Sequence, residues 1–113
     1  MAAPRPRPPG LTVAADPKLD PALLDPTRLA ILALLAGTEW AEFAFVRDAM
    51  ELSDSALSKR ISTLSDGGYV EVRKGYVGKR PRTWINLSRT GRTALSGHIA
   101  ALRDIAARVD GAD

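Results

Sequence analysis

The sequence predicts a mainly α fold with one small β-hairpin (α+β). Three observations predict it. A succession of segments repeats apolar residues at three- and four-residue spacing, most of them opened by an Asp or Ser cap. Two stretches near residues 69–74 and 83–87 alternate instead with a period of two. A basic, glycine-containing run joins them and closes on Trp84.

Taken in order, residues 1–18, "MAAPRPRPPGLTVAADPK", alternate proline with arginine, alanine and glycine and show no apolar period. Such a segment cannot bury enough surface to offset its ordering entropy, so a disordered, solvated tail is expected. A basic arm using Arg5 and Arg7 in a DNA minor groove is the competing reading. The folded domain is expected over 19–110. Asp20 before Pro21 and Asp25 before Pro26 each set an N-cap acceptor ahead of a proline suited to a first helical turn. The second of these starts should give a helix over 26–36, stopped by Gly37. Its Leu29, Ile31, Leu32, Leu34 and Leu35 cover most of the circumference, so it should be central.

A short extended entry and a helix over about 42–50 follow, with Phe43, Val46 and Met50 on one face. Ser53 then caps a helix whose inward stripe is Leu57, Ile61 and Leu64 and whose end is the Gly67-Gly68 pair; Leu52 helps fix the preceding turn. "YVEVRK" and "TWINL" pair as an antiparallel hairpin, with Val70, Val72, Ile85 and Leu87 on a common face and a long tip between them. Trp84 falls out of phase, which sends it to the other face against arginine stems or the last helix. Ser88 caps that last helix, about 88–109. There Leu95, Ile99, Leu102, Ala106 and Val109 step by heptad spacing, as in a helix that packs on another helix.

Composition narrows the function. The chain has 113 residues, 45% of them hydrophobic, which is enough for one core and too little for two. Net charge is only +3, yet residues 69–92 hold seven of the cations (Arg73, Lys74, Lys79, Arg80, Arg82, Arg89, Arg92) against Glu71 alone. Charge acts within about one Debye length, so this band suits a polyanion, most often nucleic acid. The absence of cysteine removes disulfides, thiolate nucleophiles and Cys-rich zinc sites. With one histidine, His98, and no Ser or Asp placed beside it by motif, no catalytic residue, metal ligand or cofactor is expected. His98 takes a position flanking the heptad stripe, as a dimer-edge or solvated residue, with a pH-sensitive contact as a further option. "GYVGKR" lacks the spacing and closing Lys-Ser/Thr of a phosphate-binding loop. The longest apolar run, residues 29–36, is far short of the ~20 residues of a membrane span. With no signal peptide at the start, a cytoplasmic protein is expected.

The order of three helices, a basic hairpin and a fourth helix is that of a helix-turn-helix with a wing. With Leu57, Ile61 and Leu64 inward, Ser55, Ser58, Lys59 and Ser62 face out. Short hydroxyls and one long cation suit close approach to base edges and phosphates, although an ordinary solvated helix face has the same composition. With Ser53 and Arg60 they make up the candidate recognition helix. Arg73, Lys74, Tyr76, Lys79, Arg80 and Arg82 are the candidate wing contacts: Arg80 and Arg82 on minor groove or phosphate, Lys74 and Lys79 on phosphates, Tyr76 along a sugar edge. Gly75 and Gly78 allow the backbone a tip requires. Leu19, Leu23, Leu24, Leu95, Ile99, Leu102, Ala106 and Val109 are the candidate dimer interface; packing within their own domain is the alternative.

"LDPTRLAILALLAG", "LSDSALSKRISTL" and "GGYVEVRKGYVGKRPRTWINLSRTGR" together resemble the small bacterial winged helix-turn-helix transcriptional regulators of the MarR and ArsR neighbourhood, over about residues 19–108. The resemblance implies a homodimer on a pseudo-palindromic double-stranded operator, a repressor in function. The lack of cysteine departs from ArsR metal sensors, and the chain is shorter than typical MarR proteins with their effector pockets, so an effector is not specified. A winged-helix module that binds an acidic protein partner is the alternative. RNA binding is disfavoured by an aromatic content of 5%.

Overall fold

The computed structural model describes residues 18–111; the expected tail, Lys18 apart, and the candidate arm with Arg5 and Arg7 lie outside them. A 3-10 turn, Pro21–Leu24, leads into α1 (Pro26–Ala36), strand β1 (Ala41–Glu42), α2 (Phe43–Met50), α3 (Asp54–Asp66), β2 (Val70–Val77), β3 (Arg80–Leu87) and α4 (Arg89–Asp110). The first Asp-Pro start therefore makes a single 3-10 turn, with the Asp20 carboxylate accepting from the Ala22 N–H. The second makes α1 with the expected bounds, because the Asp25 side chain accepts from the Arg28 N–H and Pro26 occupies the first turn. Ser53 and Ser88 cap α3 and α4 in the same way, accepting from the Ala56 and Gly91 N–H groups.

Two features of the sheet differ from expectation. The extended entry to α2 is a third strand: Ala41 pairs with Ile85 and Glu42 with Trp84, giving the antiparallel order β1-β3-β2. The hairpin tip is also short. Pairing continues through the basic run to Val77 opposite Arg80, leaving only Gly78 and Lys79 as a two-residue loop, with Gly78 at φ 62. That left-handed conformation is one glycine adopts without steric cost.

Ile31, Leu32 and Leu35 of α1 lie at the centre of the core, against Val46 of α2, Leu57, Ile61 and Leu64 of α3, and Val70, Ile85 and Leu87 of the sheet. The predicted stripes of α2, α3 and the hairpin thus contribute to one core, except that Val72 of the hairpin stripe is exposed. On α4 the stripe divides. Leu95 is buried in this core and Ile99 packs on it, whereas Ala106 and Val109 are exposed, Val109 by 69%. Leu23 is likewise only 1% exposed, so Leu23 and Leu95 serve their own domain and offer no surface to a second chain.

His98 also departs from expectation. It is 1% exposed and its Nδ1 accepts the Asp20 N–H at 2.9 Å. Heptad spacing places it beside the stripe correctly, but that side of α4 is bonded by Asp20, the cap of the 3-10 turn, in a helix that packs on α1.

Candidate nucleic-acid interface

α2 and α3 form the helix-turn-helix pair. Glu51, at φ 54, turns the chain between them, and the Arg47 guanidinium bonds both Asp48 (2.9 Å) and Asp54 (2.8 Å), tying the end of α2 to the start of α3. The two carboxylates raise the Arg47 pKa further above its ordinary value, by hydrogen bonding first and charge second.

The outward face of α3 is as predicted from helical phase: Ser55, Ser58, Lys59 and Ser62 are all exposed beside the buried Leu57, Ile61 and Leu64. Ser53 is committed to its cap, with its Oγ accepting from Ala56 N–H and lying 3.3 Å from Ser55 Oγ. Arg60 turns off this face; it is half-buried, and its Nε is buried without a hydrogen-bond partner.

Strand register divides the wing cations. Side chains alternate across a sheet, so Lys74 and Tyr76 share a face with Val70 and Val72, while Arg73 shares the opposite face with its cross-strand partner Trp84. Arg80 and Arg82 are on that opposite face by the same parity. On the α3 side a groove of about 450 Å³ runs between helix and sheet, lined by Ser58, Ser62, Ser65, Asp66, Val72 and Lys74 among others. Here the predicted helix and wing residues come together. On the far side the Arg73 guanidinium lies 4.0 Å from the Trp40 ring centroid, and Trp40, Arg73 and Trp84 line a cleft of about 330 Å³. Arg82 approaches Glu42 at 3.7 Å. Trp84 is thus on the outer face, as its phase required, where it lines the cleft with Arg73 and its ring reaches over Gly75; the ring that the guanidinium stacks on is that of Trp40. Tyr76 (74% exposed), Lys79 and Arg80 crown the tip.

Trp40 went unnoticed in the sequence. It has a left-handed φ of 46, and its N–H donates to the Asn86 side chain at 3.3 Å. The parity of Arg73 against Val70 and Val72 carried the one available sign that a cation would be drawn to the outer face.

Tyr69, just before β2, anchors the root of the wing. Its hydroxyl donates to Asp20 Oδ2 at 2.6 Å. That hydrogen bond, then burial and the Asp20 charge, push the phenol up to about 12, with Arg28 opposing. The folded state therefore holds this proton more tightly than the unfolded chain, whose tyrosines titrate near ~10. The added stability is complete below pH ~10 and lost as pH rises towards 12. Denaturant midpoints measured from pH 9 to 12 should fall more steeply for wild type than for Tyr69→Phe.

Among the described residues no cluster of three or more His, Cys, Asp or Glu could hold a metal, and no helix is long and apolar enough to cross a membrane. Comparison with known proteins agrees with the geometry. The family described as "winged helix DNA-binding domain" matches residues 27–106. An uncharacterized protein of Methanocaldococcus jannaschii is 30% identical over 83 residues, 74% of this chain and 90% of that protein. The structure of a transcriptional regulator homologue from Pyrococcus horikoshii superposes with a TM-score of 0.71 and 27% identity, covering 81% of this chain and 88% of that one. A Mycobacterium tuberculosis transcriptional regulator, solved in complex with DNA, gives a TM-score of 0.65 and 22% identity over 88% of this chain and 71% of that one. Solved MarR-family regulators share the fold. The fold is that of transcriptional regulators and not of enzymes. With the helix-turn-helix pair and the basic hairpin placed as described, the chain belongs to the winged helix DNA-binding domain family.

Proposed function

We propose that the protein is a sequence-specific, double-stranded-DNA-binding transcriptional regulator that acts in the cytoplasm as a homodimeric repressor on a pseudo-palindromic operator. One observation carries the reading: the exposed Ser58 and Ser62 of α3 and Lys74 of the wing line a single groove, beside the exposed Lys59. α3 enters the major groove with Ser55, Ser58, Lys59 and Ser62 towards base edges and phosphates. Lys74 meets the phosphates beside it, and Lys79 and Arg80 at the tip reach the minor groove or its backbone. The Mycobacterium tuberculosis regulator in complex with DNA supports this use of the fold.

Dimerisation is proposed through the apolar residues the domain leaves uncovered. Leu24 is 61% exposed and Val109 69%; Ala106 is exposed, and Leu19 and Leu102 are half-buried. Repression then needs only occupancy of the operator. The reading specifies no effector.

Titration into a labelled duplex from the protein's own upstream region and into a scrambled duplex, repeated across salt, tests the proposal. The expected result is a steep salt slope, about −0.9 for each phosphate contacted, with at least ~10³-fold preference for the upstream duplex. Absence of binding to either duplex at low salt overturns it. A second reading, a module for an acidic protein partner, is favoured by the Trp40, Arg73 and Trp84 cleft, which faces away from α3. It gains ground if both duplexes fail.

A further inference from the structure

Asp20 is bonded on four sides. Its N–H donates to His98 Nδ1 at 2.9 Å, its Oδ2 accepts the Tyr69 hydroxyl at 2.6 Å, its Oδ1 accepts the Ala22 N–H at 2.9 Å, and its carbonyl accepts the Leu23 N–H at 2.9 Å. The four bonds join three parts of the chain: the turn ahead of α1, the root of the wing at Tyr69, and the middle of α4. Because Nδ1 is an acceptor, the imidazole carries its proton on Nε2.

The wing root meets α4 in a second place. The Tyr69 carbonyl accepts the Ser88 N–H at 3.0 Å, the Ser88 hydroxyl donates to the Gly68 carbonyl at 2.6 Å, and the Gly91 Cα lies against the Tyr69 carbonyl. Gly91 and His98 are seven residues apart, or about 10 Å along the helix. Contact at Gly91 alone is a pivot. The side chain of Tyr69, reaching His98 through Asp20, is a strut that fixes the angle about it. Apolar packing of Leu95 and Ile99 on the core keeps α4 in place, but such contacts are not directional.

We infer that Asp20, Tyr69 and His98 are positioning residues that set the angle between the wing and α4, and so the separation of half-sites the dimer accepts. This rests on the dimeric DNA-binding reading above. The lever is long enough to matter. Val109 is eighteen residues from Gly91, about 27 Å, so a tilt of roughly 10° displaces it by about 5 Å. One base pair rises about 3.4 Å, so the displacement exceeds one base-pair step.

The experiment starts from the best duplex selected by wild-type protein from random 40-base-pair DNA. A series is then made with its half-site centres moved apart or together in single base pairs. Wild type should show one optimum with at least a tenfold penalty at the next spacing. Tyr69→Phe removes only the strut hydroxyl and should reduce that penalty to about threefold or less, while affinity for a single half-site stays within twofold. A purely structural role lowers affinity equally at every spacing, so an unchanged penalty in Tyr69→Phe overturns the inference. Selection of no duplex by wild type overturns the DNA reading itself. Selection of an isolated half-site overturns the inference while leaving DNA binding intact.

Discussion

Gly91→Ala should be strongly destabilising. Gly91 is buried in the first turn of α4, and a Cβ there would run into the Tyr69 carbonyl oxygen and lie 2.9 Å from a Leu87 methyl. The carbonyl cannot retreat freely, because it accepts the Ser88 N–H, which sets the start of α4. Either α4 lifts from the wing root or the root of β2 shifts. Overpacking of this kind costs up to about 3 kcal/mol and more where backbone must move, against a total stability of about 5–15 kcal/mol. The thermal midpoint should fall by more than ~10 °C. Helix propensity alone predicts the opposite sign, since alanine is favoured over glycine by about 1 kcal/mol. Gly97→Ala, in the same helix, separates the two effects. Its Cβ meets only the Lys18 carbonyl oxygen at 3.9 Å, an ordinary contact, so that variant should be as stable as wild type or up to about 1 kcal/mol more so. Calorimetry on the pair decides the matter.

Reversing charge at Lys59 and Lys74 together should reduce duplex affinity by at least ~100-fold at moderate salt. Both side chains are exposed, so the fold should be unaffected: Lys59 stands on the outer face of α3, and Lys74 lines the groove between α3 and the wing. Lys59→Glu with Lys74→Glu removes two phosphate contacts and sets two carboxylates, beside the existing Asp66, against the backbone. The slope of log affinity against log salt should become shallower by about two. Arg73→Ala provides the contrast. Its guanidinium is stacked on Trp40 on the far face of the sheet, so its loss should change the salt slope little. A slope unchanged in the double variant and flattened in Arg73→Ala would show that the outer face, and not the groove, meets DNA.

Elements bounded by local chemistry were legible in the sequence. The α1 limits follow from Asp25, Pro26 and Gly37, and those of α3 from Ser53 and Gly67, because each cap bonds residues three or four positions away. The inward stripes of α2 and α3 followed from the 3.6-residue period. So did the exposed Ser55, Ser58, Lys59 and Ser62. The extended entry ahead of α2 was legible, but its pairing was not, because the edge that Ala41 and Glu42 pair with belongs to β3, some forty residues later. The tip was overestimated for a related reason: cross-strand pairing carries the ladder through Arg73–Val77 and Arg80–Thr83, where no apolar alternation marks it.

The sequence by itself determined where the helices start and stop, which helix faces turn inward, and that cations gather on one hairpin. These are set by interactions within a turn or two of chain, or by composition. The tertiary structure alone decided what each remaining surface meets. It put Leu23, Leu95 and His98 inside the domain, stacked Arg73 on Trp40, and joined Asp20 to Tyr69 and His98, residues 49 and 78 positions away. Periodicity records the direction a side chain points along its own element. The partner it finds there depends on how distant elements pack, and nothing local encodes that.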